Sequence, residues 1–72
     1  MIKIYNKQQV LEPLIGGYLH IFEELENTMK NDVSNGDQVK IVTQTEGFPV
    51  EEIVQLITIR DVENWFKKYE VD

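Results

Sequence analysis

The chain has 72 residues, carries 13 acidic against 7 basic side chains for a formal net charge of −6, and contains neither cysteine nor alanine. That length allows one small domain over residues 1–72, and the missing thiols exclude a disulfide framework, a zinc–thiolate site and a cysteine nucleophile. No apolar run approaches the ~18–20 residues that span a bilayer, and the start Met1-Ile2-Lys3-Ile4-Tyr5-Asn6 lacks the parts of a signal peptide, so a cytoplasmic protein with no membrane partner is expected.

Ile2 and Ile4 alternate with Lys3 and Tyr5, which predicts a short N-terminal edge strand. Leu11, Leu14, Ile15, Tyr18, Phe22, Leu25 and Met29 then recur at helical spacing and predict a long helix within residues 7–30. Asn6 is placed to cap it, and Pro13 splits it into a first turn at 7–11 and a main helix that stops before Asn31. Glu26 and Lys30 form a favourable i,i+4 pair on its surface. The cluster Asn31 to Asp37 reads as a turn in which Gly36 supplies a positive φ.

Val39 to Thr45 is β-branched and predicts a strand. Residues 53–59 are its expected antiparallel partner through the turn Glu46-Gly47-Phe48-Pro49. The competing reading makes 49–57 a helix, since Pro49 suits a first helical position and Val50, Ile53, Val54 and Ile57 form a helical stripe. Asp61 is expected to cap a last helix with Val62, Trp65, Phe66 and Tyr69 on its apolar side. The fold expected is α+β: a long N-terminal helix, a β-hairpin at about 38–59 and a short C-terminal helix, with the helices on one face of a small sheet. The alternative is mostly α with a helix-turn-helix-like C-terminal half.

Reactive chemistry is sparse. His20 and Ser34 are the only residues of their types; His20 falls opposite the helical stripe and Ser34 in the turn, so no nucleophile–base–orienter set forms. Adjacent carboxylates at Glu23/Glu24 and Glu51/Glu52 diverge on either a helix or a strand. Asp32 to Asp37 misses the register of a calcium-binding loop, and Gly16-Gly17 is not followed by the Lys-Ser/Thr of a phosphate loop. No enzyme, cofactor or metal site is expected.

Phe48 to Ile57 followed by Thr58 to Lys68 resembles a helix-turn-helix. Its second half is similar to a homeodomain recognition helix at Thr58, Arg60, Val62, Trp65 and Phe66, with Lys68 where that family carries its base-reading Asn. That resemblance implies a DNA-binding regulator, the alternative function. Seven scattered cations among thirteen anions disfavour nucleic acid, because phosphate neutralisation dominates such binding.

The function expected is therefore noncatalytic: an acidic interaction or regulatory protein that binds a protein partner. Its composition fits an AT-rich genome such as that of a low-GC bacterium, its phage or a mobile element. Glu23, Glu24, Glu51 and Glu52, within an acidic surface that runs to Glu70 and Asp72, are the expected contacts with a basic partner, and Phe48 is a candidate aromatic anchor. Gly16, Gly17 and His20 are the candidate helix-packing or dimer face, because interior glycines cost a helix about 1 kcal/mol each and often mark close approach. A homodimer is a candidate assembly, since so small a sheet leaves one face wet or covered by a second subunit.

Overall fold

The computed structural model describes residues 1–70, so Asp72 lies outside the described residues. Strand β1 (Ile2–Asn6) runs directly into helix α1 (Lys7–Ile15). Asn6 caps α1 by accepting the Gln8 backbone N–H at 2.9 Å, which satisfies one of the donors a helix start leaves open.

The long helix expected to run on from Pro13 is two helices. Pro13 is accommodated inside α1, and the break comes at Gly16-Gly17-Tyr18. Gly17 takes φ +83°, its N–H reaches the Leu14 carbonyl at 3.2 Å, and the Tyr18 N–H reaches the Pro13 carbonyl at 2.7 Å. That pair of bonds around a left-handed glycine is the Schellman ending of a helix. Helix α2 (Leu19–Ser34) then continues through Asn31, past its expected stop, because Val33 extends the inward stripe of Phe22 and Met29. It ends by the same motif at Gly36, φ +87°, with Gly36 N–H on Val33 and Asp37 N–H on Asp32. Lys30 meets Glu26 at 3.1 Å on its surface.

Strands β2 (Gln38–Gln44) and β3 (Val50–Leu56) complete a sheet of order β1-β2-β3. β1 is parallel to β2, with Tyr5 opposite Ile41, and β3 is antiparallel, with Leu56 opposite Val39 and Val54 opposite Ile41. Parallel neighbours need a crossover connection, and α1 with α2 provides it. Because residues 50–56 are a strand, the mostly α alternative and its helix-turn-helix do not form. The hairpin is also shorter than expected: Ile57 to Ile59 leave the sheet because Thr58 begins the next helix.

That helix, α3 (Ile59–Lys67), is capped by Thr58, with the expected cap Asp61 at its third position. Thr58 Oγ1 accepts the Asp61 N–H, while Asp61 Oδ2 accepts the N–H groups of Thr58 and Ile57, each at 3.1 Å. This reciprocal capping box holds the Asp61 carboxyl below its ordinary value through the backbone N–H of Ile57 and then that of Thr58. Its contribution is present at neutral pH and fades as acid protonates it. Thr58→Ala should cost about 1 kcal/mol, read as a lower urea midpoint with an unchanged slope.

All three helices lie on one side of the sheet. Val39 and Ile41 of β2 and Leu56 of β3 are buried beneath Val10, Phe22, Met29, Val62, Trp65 and Phe66. Phe22 and Phe66 meet at 4.8 Å between ring centroids, and Trp65 packs edge-on against Phe66 at 5.1 Å. The molecule is consequently a slab of 32 × 30 × 16 Å.

Candidate functional site

Successive strand residues point to opposite faces, and residues in register across a sheet share a face. With Val39 and Ile41 turned to the helices, the other face is set by Lys40 and Val42 of β2. Their register neighbours are Ile4 opposite Lys40 in β1 and Ile53 opposite Val42 in β3, with Ile2 beside Gln38 and Val50 beside Gln44 at the ends. Among the described residues, no element covers this face. Ile2, Ile4, Val50 and Ile53 are 53, 66, 43 and 58 % exposed, and Lys40 and Val42 are half-buried between them. The paired positions on this side also include Asn6 opposite Val42 and Gln55 opposite Lys40, so five are apolar and five polar, with Lys40 the one cation and Glu51 unpaired beside Val50 at the hairpin end.

The residues nominated from charge occupy two separate elements. Glu23 and Glu24 are exposed on α2, which packs on α1, α3 and β2. Phe48, Glu51 and Glu52 belong to the β2–β3 hairpin. Phe48 stands out at the tip, 63 % exposed, held only by its backbone: its N–H donates to Thr45 O at 3.0 Å and its carbonyl accepts Gln44 Nε2 at 3.2 Å. Glu51 is the unpaired residue of a bulge, since Val50 faces Gln44 and Glu52 faces Thr43. Its Oε1 accepts the Thr45 hydroxyl at 2.8 Å, so part of its charge is committed to the turn.

Gly16 and Gly17 form the elbow between α1 and α2, where no second helix approaches: a Cβ at Gly17 would meet nothing within 4 Å, and one at Gly16 would meet only the Tyr18 ring and the α1 backbone. His20 is exposed and edge-on to Tyr18, with ring centroids 6.4 Å apart. A shallow groove of about 410 Å³ runs beside the elbow, bounded by Pro13, Tyr18 and Ile21. His20 and Ser34 stand at opposite ends of α2, about 21 Å apart at 1.5 Å per residue, and cannot meet at one substrate atom. Among the described residues, no group of three or more His, Cys, Asp or Glu side chains is placed to hold a metal ion, and no helix is long and apolar enough to cross a membrane.

One polar contact ties the sheet to the helix layer. The Tyr5 hydroxyl donates to Asp32 Oδ2 at 2.6 Å. Burial, followed by that bond and the nearby charges of Asp32 and Asp37, pushes the Tyr5 pKa up to about 12. A phenol whose pKa is raised on folding stabilises fully below its unfolded value of about 10, and the benefit is lost as pH rises toward 12. Stability should therefore fall between pH 10 and 12, and Tyr5→Phe should make that fall shallower in urea melts across this range. At neutral pH the same variant should lose about 1 kcal/mol.

Comparisons with protein-family models, curated proteins and solved structures find no match. A face left wet or covered by a second subunit is expected of so small a sheet, but its residues are not the glutamates read from charge. A signal for it does exist in the strands: Ile41-Val42 and Ile53-Val54 are adjacent apolar pairs, and neighbours on a strand cannot both face one core.

Proposed function

We propose that this chain is a noncatalytic interaction protein that docks a protein partner through the uncovered face of its sheet. The observation that carries the reading is that Ile2, Ile4, Val50 and Ile53 all stand exposed on this one face of the sheet. Exposed aliphatic side chains are ordinary when scattered singly, whereas several gathered on one face suit a contact surface. The acidic side chains of α2 and the hairpin then serve solubility and steer encounter from outside the contact.

The test is a photo-crosslinking side chain placed singly at Ile53, at Phe48 and at Asn27, the last on the exposed side of α2, with irradiation in the expressing cell. Covalent polypeptide adducts from position 53 in excess over 27 are expected. Adducts confined to position 48 would move the contact to the hairpin tip, and equal yields at all three positions would remove the reading.

A further inference from the structure

The cluster that closes α2 holds an asparagine followed directly by glycine, Asn35-Gly36, the one such pair among five asparagines. We propose that it is a site of spontaneous deamidation that the fold holds shut: the ending of α2 blocks the reaction, each opening of that ending exposes it, and conversion then destroys the ending. The co-reactant is water.

The step is intramolecular. The Gly36 backbone nitrogen, its proton lost to hydroxide, attacks Asn35 Cγ; the Cγ–Nδ2 bond breaks and the amide nitrogen leaves as ammonia with a proton from water, so a five-membered succinimide remains. Water then opens the ring. Attack at Cγ gives aspartate, and attack at the main-chain carbonyl carbon gives isoaspartate, in which Gly36 is joined to the former side chain. The pair suits this reaction because glycine has no Cβ to crowd the attacking nitrogen. Access suits it too: Asn35 is exposed, and a Cβ built at Gly36 would meet nothing within 4 Å.

Backbone geometry opposes it. Asn35 sits at φ −84° and ψ 2°, and at that ψ the following nitrogen eclipses the residue's own nitrogen, on the side away from Cβ. The Gly36 N–H is also committed to Val33 O at 3.1 Å, and the Asp37 N–H to Asp32 O at 3.0 Å. Turning ψ toward Cγ breaks both bonds. They do not yield alone, because Val33 packs on the core and the Asp32 carboxylate is held by the Tyr5 hydroxyl. Reaction therefore waits for a local unfolding of the helix end. In isoaspartate the main chain is one carbon longer at this point, so the paired bonds of the left-handed ending cannot re-form. The new carboxylate also stands at the negative end of α2, beside Asp32 and Asp37, where an anion is unfavourable.

The full chain is kept at mildly alkaline pH in buffer and in guanidinium chloride, beside Asn35→Gln, whose longer side chain does not close a five-membered ring. Conversion is read as the small mass gain of amide-to-acid exchange in the peptide carrying residue 35, and by isoaspartyl-specific methylation. Wild type should convert in guanidinium and at least about tenfold more slowly in buffer, while Asn35→Gln stays unconverted in both. The isoaspartyl form, isolated and returned to buffer, should have a lower urea midpoint than the parent. No conversion in guanidinium, equal rates in the two solvents, methylation that persists in Asn35→Gln, or an isoaspartyl form that melts with the parent overturns the inference.

Discussion

Phe66→Ala should remove about 3–5 kcal/mol of stability, enough to leave a large part of the chain unfolded in buffer alone. Phe66 is fully buried on α3, and the space it would vacate is walled by the Phe22 ring from α2 and by Trp65 from its own helix. Phe22 is held by α2, which packs against α1, β2 and α3, so the wall cannot simply close over the gap. A domain of this size has a margin of only about 3–5 kcal/mol to lose. Urea melts followed by Trp65 fluorescence and by far-ultraviolet circular dichroism should place the midpoint close to zero denaturant. Phe66→Leu, which keeps most of the volume, should remain cooperatively folded. The control is Phe48→Ala at the exposed hairpin tip, which should stay within about 0.5 kcal/mol of wild type. A loss below about 1 kcal/mol for Phe66→Ala would mean that α2 and α3 do not meet as described.

The residues that were legible from sequence are those whose neighbours on the element share one environment. Val62, Trp65 and Phe66 recur at helical spacing and are all buried, and Val39 and Ile41 alternate as a strand against a core must. What local pattern cannot supply is the partner of a strand. β1 was readable as an edge strand, but its parallel pairing with β2 depends on a crossover of two helices, and nothing in Ile2 to Asn6 encodes it. The α1–α2 break escaped for a related reason. Leu11, Leu14, Phe22, Leu25 and Met29 all contribute to the same core from two helices, so the apolar period runs across the elbow as if it were not there. Charge drew attention to Glu23, Glu24, Glu51 and Glu52, whereas the exposed aliphatic side chains Ile2, Ile4, Val50 and Ile53 gather on the sheet face around Lys40. Ile53 and Val42 carry that signal only when the strand reading is taken seriously enough to ask what its second face does.

The sharpest check on the elbow is a sign. In a continuous helix, replacing an interior glycine by alanine stabilises by up to about 1 kcal/mol. At a left-handed ending the same change destabilises, because an L side chain at positive φ costs about 1–2 kcal/mol. Gly17 has φ +83° and open space around the added Cβ, so Gly17→Ala should lose about 1–2 kcal/mol for purely conformational reasons. Asn tolerates that conformation better, and Gly17→Asn should recover part of the loss. Gly16 is different: at φ −78° and ψ −3° an alanine is permitted, and its Cβ would press on the Tyr18 ring at 3.2 Å, an exposed side chain free to move aside. Gly16→Ala should therefore lie near wild type. Urea free energies in the order Gly17→Ala below Gly17→Asn below Gly16→Ala would establish the elbow, and with it the separate packing of α1 and α2 on a single side of the sheet. A gain in stability from Gly17→Ala would instead require one long helix, and the sheet face left bare by this arrangement would have to be reconsidered along with it.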